Sequence, residues 1–266
     1  MESEQSVVNQ RRVALVGGGA GGIGSAAAAA LLASGHRVVL AGRTKETLAE
    51  TASALGGGTD CVDYVICDLA DPVAASASVT EVRARHGSVD VVVANAGGPA
   101  PGRVLDVSGE QWHRDLDLLV LGPLALMRAA LPEMAARGFG RVVVVSSTAV
   151  RQPQPGLAAS TVLRSAMTSA AKLAAREHAD RGVTVNCVAV GATLTPRRME
   201  IVRSRAEAAG IDVATAAARD LADIPAGRAA EPGEVAAAIA FLASPEAGYV
   251  NGTVLTVDGG RTESPA

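Results

Sequence analysis

Seven short runs of β-branched and other apolar residues recur along the chain, and stretches rich in alanine separate them. The runs are Val13 to Val16, Val38 to Leu40, Val62 to Ile66, Val89 to Val93, Val142 to Val145, Val183 to Val188 and Val254 to Val257. Such runs are typical of strands, and their alternation with helical stretches is typical of a parallel sheet covered on both faces. The sequence therefore predicts an α/β fold in which seven parallel strands form a doubly wound sheet with helices on both faces.

The length and spacing of these elements predict a single domain over residues 1–266. A chain of this size can form one α/β domain and bury most of the surface that it exposes when unfolded. Beyond the domain core we expect a flexible N-terminus over residues 1–11 and a tail over residues 261–266. The intervals that read as helices are Ser25 to Ser34, Lys45 to Leu55, Pro72 to His86, Glu110 to Arg137, Leu157 to Arg181 and Glu231 to Ala243.

One long segment interrupts the alternation. Residues 196–225 follow the sixth predicted strand and carry several arginines, among them Arg197 and Arg198. Ligands bind at the carboxyl edge of parallel sheets, and long loops there often carry function. We therefore interpret residues 196–225 as a substrate lid, and the alternative is a surface pair of helices with solvated charges.

Composition and charge exclude several classes of partner. Aromatic residues make up 2% of the chain and the net charge is −3, so the chain lacks the stacking side chains and the basic surface of nucleic-acid-binding proteins. The polar beginning, MESEQSVVNQRR, differs from a secretory signal, and the apolar stretch after it is too short to cross a bilayer. We predict a cytoplasmic protein that acts on a small molecule and binds neither nucleic acid nor membrane.

Cysteine and histidine spacing indicates neither a disulfide framework nor a metal site. Cys61, Cys67 and Cys187 lie in or beside apolar runs, and their number is odd. The four histidines lack the paired spacing of metal ligands. We predict no metal, and we interpret Cys187 as a core residue rather than a nucleophile.

A glycine-rich segment lies between the first predicted strand and the first predicted helix. In VALVGGGAGGIGSAAA, Gly18, Gly22 and Gly24 have the spacing G-x-x-x-G-x-G. Glycines allow the backbone to approach a pyrophosphate, and the helix N-terminus adds unpaired N–H groups and a positive dipole end. Because a strand and a helix flank the motif, we interpret it as a dinucleotide-binding turn rather than a tight structural turn.

The end of the second predicted strand indicates which dinucleotide binds. NAD sites place a carboxylate there to accept hydrogen bonds from the ribose hydroxyls, whereas VVLAGRTKE has Gly42 followed by Arg43 and Thr44. A guanidinium pairs well with a phosphate, and Thr44 can add a hydroxyl donor. We therefore predict NADP(H) as the cofactor.

Further motifs follow along the chain: CDLAD, VVVANAGG, GRVVVVSSTA, RGVTVNCVAVGATLTP, IPAGRAAEPGEVAAAIAFLAS and VNGTVLTVDGG. Together with GGGAGGIG they resemble the short-chain dehydrogenase/reductase family from about Arg12 to Gly260, most closely its 3-oxoacyl-carrier-protein reductase branch. The resemblance implies a Rossmann fold and hydride transfer between a nicotinamide and a carbonyl or alcohol carbon. With it, the predicted cofactor-binding residues are Gly18, Gly22, Ile23, Gly24, Arg43, Thr44, Asp68, Leu69, Asn95, Ala96, Gly97, Arg164, Gly191 and Thr195.

The positions that carry catalysis in this family hold unusual residues here. Its members use a serine, a tyrosine, a lysine four residues after the tyrosine, and an asparagine. Ser147 matches the serine, whereas Ser160 stands at the tyrosine position, Arg164 at the lysine position and Leu119 at the asparagine position. We predict Ser147, Ser160 and Arg164 as the catalytic residues of an atypical site.

Ser160 and Arg164 cannot replace a tyrosine and a lysine directly. The pKa of a serine hydroxyl lies far above the range of a useful general acid. An arginine can bind ribose hydroxyls or stabilise an oxyanion, but it keeps its proton. The proton for a reduction would then come from water or from a lid residue, and we interpret the nearby Asp117 as a structural acid.

Three functions stay open at this point. The first is an NADP(H)-dependent oxidoreductase with an altered site, which the retained cofactor residues favour. The second is a non-redox enzyme, an isomerase or cyclase, in which Arg164 polarises a carbonyl. The third is a non-catalytic nucleotide-binding subunit that pairs with an active homologue. The resemblance also implies a homo-oligomer, a dimer or a tetramer, with a hetero-oligomer as the alternative.

Overall fold

Each predicted apolar run contains or overlaps a strand in the computed structural model, which describes residues 11–56 and 60–264 of the chain. Every pair of neighbouring strands is parallel, and the strand order is β3-β2-β1-β4-β5-β6-β7. This order confirms the predicted doubly wound Rossmann fold. The strands are β1 (Val13–Gly17), β2 (Arg37–Gly42), β3 (Val62–Ile66), β4 (Val91–Ala94), β5 (Gly140–Ser147), β6 (Val183–Val190) and β7 (Val254–Val257).

Within the described ranges nine α-helices accompany the sheet. The predicted lid segment contains two of them, α7 and α8, joined at Gly210, which has a left-handed φ of 63°. Of the expected flexible N-terminus only residue 11 is described, and residues 265–266 of the expected tail lie outside the description. The helices are α1 (Gly22–Ala33), α2 (Lys45–Gly56), α3 (Pro72–His86), α4 (Gly109–Leu116), α5 (Gly122–Arg137), α6 (Ala158–His178), α7 (Pro196–Ala209), α8 (Val213–Ala222) and α9 (Pro232–Ala243).

The core forms two layers, one on each face of the sheet. Along β1, Val13 and Leu15 pack into the layer beneath α3, α5 and α6, whereas Ala14 and Val16 pack into the layer beneath α1 and α9. Successive side chains of a strand point to opposite faces, so a fully apolar strand can fill both layers. The predicted covering of the sheet on both faces is confirmed.

The fourth strand begins two residues later than Val89, where the sequence predicts it. The carboxylate of Asp90 accepts hydrogen bonds from the backbone N–H of Val13 (2.9 Å), the hydroxyl of Ser88 (2.7 Å) and Nη2 of Arg137 (3.0 Å). Because these bonds hold Asp90 at the entrance of the sheet, the regular ladder starts only after it.

The long apolar stretch predicted as one helix from Glu110 to Arg137 is interrupted. A π-helical turn, Asp117–Leu121, separates α4 from α5. By length and composition alone the segment Gly109–Arg137 could cross a membrane, but half of it is buried in this fold, where it packs against α3 and α6. This packing accounts for its apolar character.

The burial of two cysteines leads to a prediction about thiol chemistry. Cys67 and Cys187 are buried, and burial raises the pKa of both thiols, that of Cys187 to about 11. At pH 8 only about one Cys187 thiol in a thousand is then ionised. We expect iodoacetamide to modify the half-buried Cys61 alone in the folded protein and all three cysteines in urea, as measured by mass spectrometry. A Cys61→Ser variant is the control, and rapid labelling of that folded variant would contradict the burial.

Candidate active site

The carboxyl ends of the strands open into a cleft of about 810 Å³. The loops after β1 and β4 form part of it, and these neighbouring strands are followed by helices on opposite faces of the sheet. In open α/β sheets such a crevice is the usual ligand site. The predicted site residues that line the cleft are Gly18, Gly22, Ile23, Arg43, Thr44, Asp68, Leu69, Asn95, Ala96, Gly97, Ser147, Ser160, Arg164, Gly191 and Thr195.

Gly24 does not line the cleft and instead lies under the glycine-rich turn. An added Cβ at Gly24 would stand 2.1 Å from the carbonyl oxygen of Gly18, which itself has a left-handed φ of 56°. The helix α1 and the turn can approach this closely only because Gly24 has no side chain. Gly22 and Ile23, at the start of α1, line the cleft, and the first N–H groups of a helix have no partner within the helix.

Two neighbouring strands support this turn. The side-chain Nδ2 of Asn95, just after β4, donates to the carbonyl oxygen of Gly17 (3.0 Å). On the other side, an added Cβ at Gly22 would lie 2.8 Å from Cγ2 of Thr195, which follows β6. The turn is therefore held between the ends of β4 and β6. Thr195 leaves no room for a side chain at position 22, so this position requires a glycine.

Arg43 lies at the rim of the cleft directly after β2. Its side chain and that of Thr44 are exposed, and both residues line the cleft. In this position a guanidinium can meet a phosphate on the adenosine ribose, since the same strand end carries the carboxylate in NAD sites. The structure thus brings Arg43 to the same cleft as the glycine-rich turn.

Arg164 extends from α6 to two backbone carbonyl groups. Its Nη1 donates to the oxygen of Val145 (2.6 Å) and its Nη2 donates to the oxygen of Gly97 (3.1 Å). Burial and, secondly, the charge of Arg197 lower the pKa of Arg164 to about 10. The guanidinium is therefore still a cation at neutral pH, and in the described parts of the chain carbonyl dipoles rather than a carboxylate hold it.

Arg197 at the start of α7 contacts the same loop after β4. It donates to the carbonyl oxygen of Pro99, and its Nη1 donates to Oε2 of Glu200 (2.9 Å). An added Cβ at Gly98 would lie 2.7 Å from Nε of Arg197, so the glycine allows this close contact. The two arginines thereby connect α6 and α7 to one loop of the cleft.

The two predicted catalytic serines differ in their hydrogen bonding. The Oγ of Ser147 accepts a bond from the backbone N–H of Ala149 (3.2 Å). Ser160 is only 7% exposed, and its hydroxyl makes no hydrogen bond to any residue of the described ranges. Since the hydroxyl of Ser160 lines the cleft without an internal partner, a ligand oxygen can take that role.

The surroundings of Leu119, which stands where the resemblance implies an asparagine, are apolar. Leu119 lies in the π-helical turn, is 3% exposed and packs into the core. Asp115, one turn earlier, and Gln111, two turns earlier, line the cleft, and neither is among the site residues predicted from the sequence. The spacing of four residues places Asp115 on the helix face of Leu119, but spacing alone does not show that its carboxyl group is buried.

A buried carboxylate fastens α7 and α8 to the rest of the protein. Asp220 on α8 accepts from Arg198 (3.3 Å) and Arg205 on α7 and from Arg261 (3.1 Å) near the end of the described chain. Nη2 of Arg205 also donates to Oε1 of Gln154 (3.3 Å) in the loop before α6. A second cavity of about 630 Å³ lies beside this cluster, which lines both spaces.

Comparison with known proteins is consistent with the geometry of the cleft. Residues 18–262 match the family model described as enoyl-(acyl carrier protein) reductase. The chain is 35% identical over 208 residues to the oxidoreductase UcpA of Escherichia coli K12, covering 78% of each chain. It is 32% identical over 252 residues to human dehydrogenase/reductase SDR family member 4, covering 94% of this chain and 87% of the relative.

A solved structure matches the whole fold. The crystal structure of a variant of actinorhodin polyketide ketoreductase with NADPH superposes with a TM-score of 0.92 at 30% sequence identity. The match covers 97% of this chain and all of the other. The similarity therefore includes the strands, the cleft and the helices that follow β6.

Proposed function

The chain belongs to the short-chain dehydrogenase/reductase family, an oxidoreductase family, and on this premise we propose that it is an NADP(H)-dependent reductase or dehydrogenase of a carbonyl or alcohol substrate. One observation carries the proposal: the glycine-rich turn, Arg43 and the cation Arg164 line a single cleft. A neighbour of known structure was crystallised with NADPH, which supports the choice of dinucleotide.

The residues of the cleft fit a phosphorylated dinucleotide. The start of α1, where Gly22 and Ile23 line the cleft, suits a pyrophosphate, and Thr195 would stand beside it. Arg43 would bind the 2′-phosphate with Thr44 as a second donor, and Asn95 would keep the turn in place. The further residues proposed to contact the dinucleotide are Ile23, Asp68, Leu69, Ala96, Gly97 and Gly191.

When bound, the dinucleotide supplies or accepts the hydride. The chain's own residues then bind and orient the substrate oxygen: the hydroxyls of Ser147 and Ser160 would donate hydrogen bonds to it. Arg164 would stabilise the negative charge that develops on that oxygen in the transition state, since its position is fixed by two carbonyl groups. The helices α7 and α8 would cover the cleft as a lid and exclude water.

Arg43 provides the direct test of the proposed cofactor. We expect Arg43→Ala to weaken NADPH binding by about 10- to 100-fold, because a charge-assisted hydrogen bond to phosphate contributes about 1.5–3 kcal/mol. NADH binding should change less than about 3-fold, since NADH lacks that phosphate. Both affinities can be measured by fluorescence titration, with Arg103→Ala at an exposed position outside the cleft as the control. Equal losses for both dinucleotides would contradict the 2′-phosphate contact.

Turnover separates the proposed function from its alternatives. Oxidation of NADPH in the presence of a panel of ketones and quinones is the expected result. Tight NADPH binding without oxidation by any carbonyl would instead favour the nucleotide-binding subunit or the isomerase or cyclase.

We further propose that the protein is cytoplasmic and that it forms a homo-oligomer. The exposed apolar side chains of Val162 and Leu173 on α6 support the proposed homo-oligomer.

A further inference from the structure

The carboxyl group of Asp115 is buried at the cleft in an unusual way. Asp115 lies on α4 and is only 3% exposed. Its Oδ1 accepts a hydrogen bond from Nε2 of Gln111 (2.8 Å), whereas its Oδ2 is inaccessible to solvent and has no hydrogen-bond partner in the described chain. Burying a charged oxygen without a partner is costly, so this environment favours the neutral acid.

The charges around Asp115 do not reverse this preference. Burial raises the pKa of Asp115, and the Gln111 bond and the charges of Arg114 and Arg197 lower it, with a net rise. Arg114, on the same helix, already contacts Glu110 and Gln111, and Arg197 on α7 donates to Glu200 and Pro99. Both arginines therefore have closer partners than Asp115. The elements packed against α4 also carry Asp117, in the π-helical turn, and Arg164, on α6.

Asp115 also lies near the positions at which the family resemblance places the catalytic groups. It lies one helical turn before Leu119 and on the same face. The helix α4 packs against α6, which carries Ser160 and Arg164, and all three residues line one cleft. Asp115 thus brings a buried carboxyl group with a raised pKa to the cleft that holds Ser147, Ser160 and Arg164, and in the described part of the chain no other acid of α4, α6 or the loop after β4 is buried.

We propose, on the premise of the reductase function above, that Asp115 is the catalytic residue that protonates the substrate oxygen, in the role that Ser160 and Arg164 cannot fill. In the reduction, the carbonyl carbon gains a hydride with its electron pair from NADPH, and the C=O π bond breaks toward oxygen. That oxygen takes the proton of Asp115, which becomes a carboxylate, and NADP⁺ and the alcohol are the products. Water entering the open cleft then returns a proton to Asp115.

The proton of Asp115 can change its position because the carboxyl group can rotate about its terminal torsion. The terminal torsion of aspartate is broad and roughly two-fold, so rotation exchanges Oδ1 and Oδ2, and the protonated oxygen is not confined to the position that is inaccessible to solvent. Whichever oxygen takes the position of Oδ1 accepts the hydrogen bond from Gln111. Ser160 would orient the substrate oxygen for the transfer, and Arg164 would stabilise both the oxyanion and the carboxylate that results.

The first test observes the carboxyl group without any turnover. Carbon-13 NMR of protein labelled at the aspartate carboxyl carbons, with and without NADP⁺, follows each group from pH 4 to pH 8. We expect one resonance to titrate above the ordinary range of an aspartate and to be missing in Asp115→Asn. A carboxyl group at position 115 that is already ionised at pH 4 would overturn the proposal, whether or not the protein reduces a carbonyl.

The second test uses kinetics with a matched control. Asp115→Asn keeps the size and the acceptor for Gln111 but loses the proton, so we expect kcat to fall at least about 100-fold while NADPH affinity stays within about 2-fold. In the wild type, kcat should fall as pH rises through the pKa of Asp115, and Asp115→Glu should recover part of the rate. Asp106→Asn, which makes the same chemical change at an exposed position outside the cleft, is the control and should be unchanged.

The outcomes distinguish this proposal from the proposed function. A full rate and an unchanged pH profile in Asp115→Asn would overturn the role of Asp115 and leave the reductase function intact. A wild-type protein that binds NADPH and reduces no carbonyl would overturn both. A titrating acid at position 115 together with a slow Asp115→Asn variant that still binds NADPH would support both.

Discussion

Gly24→Ala is expected to lower the free energy of unfolding by about 3 kcal/mol and to weaken NADPH binding by more than about 100-fold. The added Cβ would stand 2.1 Å from the carbonyl oxygen of Gly18 and 3.1 Å from Nδ2 of Asn95. The nearer contact is to backbone, which cannot rotate away as a flexible side chain can. The turn must therefore move away from α1, and the part of the cleft that the two line would change with it.

Chemical denaturation and fluorescence titration with NADPH measure these two effects separately. Gly233→Ala is the matched control, because it makes the same chemical change in α9 at a site where an added Cβ meets nothing within 4 Å. We expect this variant to be as stable as the wild type or more stable by up to about 1 kcal/mol. Wild-type NADPH affinity in Gly24→Ala would show that the turn is not built as described.

The second large effect is expected at Arg164. Arg164→Met fills similar space but removes the donors to Val145 and Gly97, so two carbonyl groups lose their partner at a cost of about 1–3 kcal/mol each. It also removes the cation from the proposed oxyanion site. If the protein reduces a carbonyl, kcat should fall by about 100- to 1000-fold, the range found when one stabilising donor is removed from a transition state.

Arg164→Lys separates the charge from the geometry. A lysine ammonium keeps the positive charge but lacks the planar fork that reaches two carbonyl groups at once. We therefore expect it to recover part of the rate and less of the stability, as measured by steady-state kinetics and denaturation of all three proteins. Identical rates in Arg164→Met and the wild type would exclude Arg164 from catalysis.

Most of the fold could be predicted because strands, turns and helices are indicated by patterns of residues that are close together in the sequence. The apolar run that becomes β1 and the glycines after it determine a strand, a turn and a helix within about a dozen residues. The boundaries that differ depend on distant partners. Asp90 delays β4 through bonds to Val13 and Arg137, which lie far away in sequence.

The site could be predicted only as far as spacing and resemblance extend. They identified Ser160 and Arg164 as candidates, but not which groups the guanidinium of Arg164 contacts, since Val145 and Gly97 belong to a strand and a loop elsewhere in the chain. Asp115 was not predicted as a site residue because an acidic residue on an amphipathic helix is expected to be exposed to solvent. Its burial results from the packing of α4 against α6, which no local pattern reveals.

The arginines of the cleft also influence how fast a ligand arrives. Seven arginines and four acidic residues line the cleft of a chain whose net charge is −3. An excess of positive charge in a concave surface concentrates field lines, so a polyanion such as a phosphorylated dinucleotide is drawn toward the opening from a distance of about one Debye length. The net charge of the chain is negative, whereas the positive charges outnumber the negative ones in the lining of the cleft. Ionic strength therefore controls the rate of encounter more than the strength of the final contacts.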